Sequence, residues 1–142
     1  MGIRDDLSVR FFKWPAEVEL KLSMGDLLEK DVSEDYYISE EKTVKVYKDL
    51  KKFGKETSYF VRPMNESWVC KTLDCTRTKI VNINGRLRYL TPKEFFRLQG
   101  FVKDEVKLDG ISKANSYKLA GNGQSVNVVK LLLAELLKNE VA

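Results

Sequence analysis

Between residues 39 and 55, apolar side chains recur at every third position among charged ones. In an α-helix this spacing is typical of an apolar stripe along one face. The stripe consists of Val44, Tyr47, Leu50 and Phe53. Ser39 can cap the start of this helix and Gly54 can end it, so the pattern predicts a helix over this segment.

Lysine occupies much of the remaining surface of this predicted helix. The residues are Lys42, Lys45, Lys48, Lys51, Lys52 and Lys55. A charged helix face usually stays solvated and does nothing more. The alternative is contact with nucleic-acid phosphates, which would raise affinity without reading sequence.

Short strands are predicted from residue 57 to residue 89. Aromatic and β-branched residues concentrate in Ser58–Val61 and in Trp68–Leu73. A third segment contains Asn84-Gly85, a dipeptide typical of a two-residue hairpin turn. Basic residues are interleaved with aromatic ones here, a mixture that suits nucleic-acid contact but also occurs in ordinary sheets.

A helix start with three signals follows the strands. Thr91 is a capping residue, Pro92 occupies the first helical position, and Glu94 completes a capping box. We expect this helix to end near Gly100. A second helix is predicted over Ser112–Leu119.

The last predicted helix, about Ser125–Lys138, follows a tight glycine segment at residues 121–123. Apolar residues occupy nearly every direction around it, and a surface that wide requires burial on most sides. Either the helix lies at the centre of the fold or it packs on a second body. Without that body, we expect exposed apolar residues to drive homodimer formation or aggregation, among them some of Val129, Leu132, Leu133 and Leu136.

Together these elements predict a mixed α/β fold of the α+β type. We expect small antiparallel recognition sheets with several helices, an apolar C-terminal helix, and no complete Rossmann sheet. The glycines at 121–123 do not read as a dinucleotide-binding loop, because no apolar strand precedes them and the third glycine is missing.

Composition narrows the chemistry. A chain of 142 residues can form one domain with a buried core. It contains no histidine, which excludes histidine-based acid–base catalysis and histidine-containing metal sites. Cys70 and Cys75 are the only thiols, too few for a cysteine-only zinc site, so we expect no metal site.

Charge and hydropathy bear on location and partners. The net charge of +4 is compatible with a polyanionic partner without identifying one. No apolar stretch approaches the length that spans a bilayer, and the first residues are charged where a signal peptide would be apolar. We therefore expect a soluble cytoplasmic protein with no membrane partner.

Residues 86–101, RLRYLTPKEFFRLQGF, resemble the ninth conserved motif of the DNA (cytosine-5)-methyltransferases. The usual form of that motif reads R-x-LTP-x-E-x-x-R-LQGFP. Val102 stands where the family commonly has proline. The matching residues are Arg88, Leu90, Thr91, Pro92, Glu94, Arg97, Leu98, Gln99, Gly100 and Phe101.

Residues 118–137, KLAGNGQSVNVVKLLLAELL, resemble the family's tenth motif, GNSV followed by an apolar helix. The match holds if Gly123-Gln124 is taken as a two-residue insertion. Weaker similarity extends to Thr72-Leu73, which resembles a threonine-leucine pair of the recognition domain. The segment GIRDDLSVRFFKWP near the start resembles the strand after the eighth motif.

The resemblance also shows what this chain lacks. Family members attack cytosine with the cysteine of a Pro-Cys motif, protonate the base with the glutamate of a Glu-Asn-Val motif, and bind S-adenosylmethionine on a glycine-rich loop. Cys70 follows Val69, Cys75 follows Asp74, and no Glu-Asn-Val occurs. We expect no catalytic residue in this chain, and methyl transfer only when a catalytic half is supplied.

On this interpretation the chain is the C-terminal part of such an enzyme, either a subunit of a split methyltransferase or a fragment. Residues 1–38 would form the link from the missing catalytic domain. Residues 39–101 would form the target recognition region with motif nine, and residues 102–142 would carry motif ten and the C-terminal helix. S-adenosylmethionine would bind only to the complete enzyme, which would act on double-stranded DNA in a restriction–modification setting.

The resemblance implies cofactor contacts for Asn122 and Ser125, although the insertion leaves the register of Ser125 open. Bidentate donors such as arginine on guanine can read a base in the major groove. The candidate DNA contacts are Arg62, Arg77, Lys79, Arg88 and Arg97. The first three have the alternative of ordinary surface charges, and the last two that of a scaffold around the capping box.

Two other functions stay open at this point. One is a non-catalytic DNA-binding protein that retained only the recognition domain. The other is a helical protein-interaction module, which leaves the pairing of the two motifs unexplained. An upstream reading frame with Pro-Cys and Glu-Asn-Val motifs would distinguish the methyltransferase from the non-catalytic protein.

Overall fold

The computed structural model describes residues 13–19, 21–53, 63–65, 67, 69–101 and 106–138. Two short 3-10 helices, Gly25–Leu27 and Glu34–Tyr36, precede the longer elements. Those elements are α1 (Glu40–Phe53), β1 (Met64–Asn65), β2 (Ile80–Ile83), β3 (Arg86–Tyr89), α2 (Pro92–Leu98), α3 (Lys113–Asn122) and α4 (Val126–Lys138). The predicted strand Ser58–Val61 lies outside the described residues. Residues 69–73 form no strand, so the predicted strand Trp68–Leu73 is wrong in its described part.

A three-stranded sheet with the order β1-β2-β3 lies within the described residues. Strands β2 and β3 form the antiparallel hairpin predicted from Asn84-Gly85, whose two turn residues have φ of 49° and 87°. Strand β1 instead runs parallel to β2, with Met64 beside Val81. The expectation of antiparallel pairing is wrong for β1, because a two-residue strand has no periodicity from which its direction could be read. The mixed α/β class itself is confirmed.

Helix α1 forms as predicted, but a different face points inward. Thr43, Val46 and Leu50 are half-buried, whereas Val44 is 52% and Tyr47 43% exposed. Each residue turns a helix by about 100°, so a series at three-residue steps drifts by about 60° per step. The predicted stripe therefore spirals around the helix and cannot stay on one side.

The hydrophobic core joins the segment at Met24, the sheet and helices α2 and α3. Phe95 of α2 meets Tyr117 of α3 edge to face, with ring centroids 4.9 Å apart. The Tyr117 hydroxyl donates to the Leu90 carbonyl at 2.6 Å, and burial raises the pKa of this hydroxyl. The buried core residues are Met24, Met64, Val81, Leu90, Phe95, Tyr117 and Ala120.

The last two helices depart from expectation in opposite ways. Helix α3 continues through Gly121 to Asn122, so the predicted end at Leu119 is wrong. Helix α4 has the predicted bounds within one residue, but none of its residues is buried. Its exposed large apolar residues are Val128, Leu131, Leu133 and Leu137, from 41% to 57% exposed. Among the described residues, no helix has the length and apolar content needed to cross a membrane.

Candidate functional site

The start of helix α2 is fixed by the predicted capping box. The Thr91 hydroxyl accepts from the Glu94 amide at 3.2 Å, and the Glu94 carboxylate accepts from the Thr91 amide at 2.7 Å. Arg88, on strand β3, donates to both carboxylate oxygens of Glu94, at 2.6 Å and 2.8 Å. Arg88 is 1% exposed and Glu94 is 0% exposed, so motif nine contains a fully buried ion pair. Burial opposes ionisation of Arg88, but the bonds to Glu94 outweigh it and raise its pKa.

The same carboxylate attaches an earlier segment of the chain. The Glu29 amide donates to Glu94 at 2.8 Å, and the Thr91 hydroxyl donates to the Glu29 carboxylate at 2.6 Å. Arg97 donates to the Leu27 carbonyl at 3.2 Å. The charged residues of motif nine therefore join strand β3, helix α2 and residues 24–29 into one body.

Gln99 connects motif nine to motif ten. Its side-chain amide donates to the Ala120 carbonyl at 3.0 Å and to the Gly123 carbonyl at 3.3 Å. Its own carbonyl accepts from the Val126 amide at 2.7 Å, where α4 begins. Gln99 thus bonds to both sides of the turn between α3 and α4.

The two candidate cofactor residues lie at this turn, hereafter the α3–α4 turn (residues 121–125). Asn122 is exposed, and its side-chain oxygen accepts from the Cys75 thiol at 2.9 Å. Ser125 is half-buried, and its carbonyl accepts the first helical bond of α4, from Val129 at 3.1 Å. Asn122 thus presents an exposed polar side chain at this turn, and the cofactor contacts of Asn122 and Ser125 stay predictions.

The loop at residues 74–79, which follows Leu73, is organised around one carboxylate. Asp74 accepts from Lys79 at 2.9 Å, from the Thr78 hydroxyl at 2.7 Å and from the Thr76 hydroxyl at 2.8 Å. Partial burial opposes ionisation of Asp74, but these hydrogen bonds outweigh it and lower the pKa of the carboxyl to about 2. Lys79 is 4% exposed, so its charge is paired inside the protein.

The described candidates Arg77, Arg88 and Arg97 are also engaged within the chain. Arg77 lies between two aromatic rings, 4.9 Å from the centroid of Tyr36 and 4.5 Å from that of Tyr89, and donates to the Asp35 carbonyl. Arg62 lies outside the described residues. For Arg88 and Arg97, the buried contacts favour the scaffold interpretation over direct phosphate contact. The DNA roles of all five residues stay predictions.

An exposed basic surface lies elsewhere, on helix α1. The lysines there that face outward are Lys42, Lys45, Lys48, Lys51 and Lys52. The sequence pattern had already indicated this face but could not rank it above the arginines of the hairpin region. The described residues contain no group of acidic or cysteine side chains placed to hold a metal ion.

The sequence patterns did not predict the structural roles of two residues of the site. Gln99 was matched to motif nine without any role, and Gly121 was expected outside a helix. Gln99 lies in motif nine and Gly121 in motif ten, and the order and separation of these motifs already suggested that they contact each other. Side-chain direction, which the sequence alone does not give, was needed to see it.

Comparison with known proteins gives the same family as the two motifs, and the match extends over most of the chain. The family model for C-5 cytosine-specific DNA methylase matches residues 1–138. The type II methyltransferase M.DsaV of Dactylococcopsis salina is 30% identical over 135 residues, covering 89% of this chain and 38% of that protein. M.Bsp6I of Bacillus sp. (strain RFL6) is 28% identical over 154 residues, covering 98% of this chain and 48% of that protein.

Solved structures give the fold. The Entamoeba histolytica methyltransferase EhMeth superimposes with a TM-score of 0.69 at 18% identity, over 89% of this chain and 44% of that one. This chain therefore spans less than half the length of these relatives.

Proposed function

Since this chain belongs to the C-5 cytosine-specific DNA methylase family, we propose that it is the DNA-recognition and cofactor-completing part of a DNA (cytosine-5)-methyltransferase. The complete enzyme would transfer a methyl group from S-adenosylmethionine to cytosine in double-stranded DNA, after the base leaves the stack. One observation carries the proposal: the family model matches residues 1–138, whereas the chain spans 38% of M.DsaV. This match supports the proposal that the chain carries only part of the enzyme's machinery.

The proposed contribution of this chain is positioning. The Pro-Cys and Glu-Asn-Val motifs do not occur in its 142 residues, so the nucleophile and the general acid would come from a catalytic part. The buried Arg88–Glu94 pair holds the β2–β3 hairpin on helix α2. Gln99 holds the α3–α4 turn, from which Asn122 and Ser125 would contact the cofactor.

We assign phosphate contact in this proposal to the outer face of helix α1. Lys42, Lys45 and Lys48 are exposed there at three-residue steps, which spread them over about 120° of the helix surface. Lys79 and Arg88, in contrast, are buried and paired with Asp74 and Glu94. Phosphate contacts raise affinity without sequence information, so base reading would fall to other residues of the target recognition region, residues 39–101.

DNA binding tests this surface. We expect the chain to bind duplex DNA with an affinity that falls steeply as salt rises, by a slope of about 0.9 per phosphate contact. Replacing Lys42, Lys45 and Lys48 with Gln should reduce the slope by up to about 3. The matched control replaces Lys107, Lys118 and Lys130 with Gln. These lysines are exposed on other parts of the chain, so the control removes the same amount of charge. Equal loss in both triple variants would contradict an α1 surface.

Methyl transfer tests the proposal as a whole. We expect the purified chain to incorporate no radiolabelled methyl group into DNA. A chimera of M.DsaV in which this chain replaces the region it matches should regain incorporation, and Asn122→Ala in that chimera should weaken cofactor binding. Incorporation by the chain alone would refute the proposed division of labour. DNA binding without any rescue would favour the non-catalytic DNA-binding protein.

A further inference from the structure

The backbone at Asp74 and Cys75 lies unusually close to the last turn of helix α3. A Cβ atom built on Gly121 would lie 2.3 Å from the Asp74 carbonyl oxygen and 2.7 Å from the Cys75 amide nitrogen. Real side chains do not tolerate such distances to backbone, so only glycine permits this approach. At Gly123, two residues later, the nearest atom to a Cβ would be the Ala120 carbonyl oxygen at 3.1 Å. The tight approach is thus particular to Gly121.

A side-chain bond lies beside this backbone contact. The Cys75 thiol is 2.9 Å from the side-chain oxygen of Asn122 and donates to it. The backbone that carries this thiol is held in place, because the preceding Asp74 carboxylate accepts hydrogen bonds from Thr76, Thr78 and Lys79. A rigid loop therefore holds the only thiol that contacts Asn122 within the described residues.

We infer that Cys75 is a positioning residue for Asn122. The Asp74–Lys79 loop, brought into contact at Gly121, sets the direction of the Asn122 side chain at the α3–α4 turn. Gln99 holds the same turn from the α2 side. The Asp74–Lys79 loop and motif nine thus fix this turn from two sides. Only the role of Asn122 toward the cofactor rests on the proposed function; the contact itself does not.

Nuclear magnetic resonance of the ¹⁵N-labelled full chain, without DNA or cofactor, tests the inference. The two side-chain amide protons of Asn122 are the probe, assigned with an Asn122→Asp variant. We expect Cys75→Ala to shift this pair and Cys75→Ser to restore it, because a hydroxyl also donates. The control is Cys70→Ala, since the Cys70 thiol donates to the Lys71 carbonyl and should leave the pair in place.

Glycine substitutions give a second measurement. We expect Gly121→Ala to shift the Asn122 pair more than Gly123→Ala does, because only the first residue contacts the loop. If Gly121→Ala does not fold, the Cys75 variants decide alone. An Asn122 pair that is unmoved by Cys75→Ala, or moved equally by Cys75→Ser, overturns the inference. Failure of the proposed function would appear separately, as unchanged cofactor binding in the Asn122→Ala chimera.

Discussion

Helices α2 and α4 belong to adjacent motifs, yet the fold holds them differently. Helix α2 begins in a buried capping box and its Phe95 is 0% exposed. Helix α4 is far more apolar in sequence, but it contains no buried residue and leaves Leu133 51% exposed. Helix α2 packs Phe95 against Tyr117 and binds Arg88 through Glu94, whereas α4 keeps an exposed apolar surface in the described chain. Apolar content alone therefore does not decide burial; the available partner surface does.

Strand β3 repeats the contrast on a smaller scale. Arg86 pairs with Glu34 at 2.8 Å, and their side chains are 61% and 75% exposed. Two residues later, Arg88 pairs with Glu94 at 2.6 Å, and these side chains are 1% and 0% exposed. The distances are similar, but only the second pair excludes water. Removing one partner of a buried pair leaves an unpaired charge inside the protein. Removing one partner of an exposed pair leaves a charge that water solvates.

The largest expected effect comes from breaking the buried pair. We expect Arg88→Ala to lower the free energy of unfolding by about 3–5 kcal/mol, because Glu94 would be left charged and buried. The control, Arg86→Ala on the same strand, should leave the free energy of unfolding nearly unchanged, because water screens its exposed pair with Glu34. Urea denaturation of both variants measures the difference. Similar losses in the two variants would mean that burial does not distinguish these ion pairs.

The next effect concerns the exposed side of α4. If this surface drives homodimer formation, Leu133→Glu should weaken self-association by about 1.5–3 kcal/mol, the value of one buried apolar side chain. The fold should keep its stability, because Leu133 is exposed. Leu132→Glu is the matched comparison: Leu132 is half-buried, so this variant should also lower the stability of the monomer. Sedimentation velocity over a range of concentrations measures association, and a concentration-independent monomer would contradict the expectation.

Local signals in the sequence predicted the elements whose causes are local. The capping box at Thr91 and the Asn84-Gly85 turn each depend on a few adjacent residues, and both formed as predicted. The inward face of α1 was missed because a three-residue series drifts around the helix. A second group of features depends on distant partners, and the parallel strand β1 in this group was missed. The helical Gly121 belongs with the second group, since its reason is a close approach by Asp74.

The features of the candidate site also divide into those with local causes and those that depend on distant partners. Motif matching located the α3–α4 turn and its Asn122 without any structure. It could not show that Arg88 is buried or that Lys79 is paired with Asp74, because burial of a long charged side chain depends on partners that are distant or arranged by a loop. Basic residues near aromatic ones looked alike in sequence, and only the fold separates the buried Lys79 and Arg88 from the exposed lysines of α1.

The smallest expected effect comes from the loop at Asp74, where the ion pair is neither buried like that of Arg88 nor open like that of Arg86. The pKa of Asp74 is lowered to about 2 in the folded chain, against about 3.9 for an unfolded aspartate. The unfolded state therefore binds more protons between these values, and the stabilisation is complete above about pH 3.9 and lost as the pH falls toward 2.

We expect Asp74→Asn to be less stable than the wild type at pH 6 and to approach it near pH 2. The difference should be smaller than for Arg88→Ala, because the Asp74 side chain is 31% exposed and water screens its charge. Urea denaturation at each unit of pH from 6 to 2 measures the curve. Asp109→Asn, at an exposed position, serves as the control and should follow the wild type throughout. An Asp74→Asn curve parallel to that of the wild type would mean that the loop is held together by its neutral hydrogen bonds rather than by the charge of Asp74.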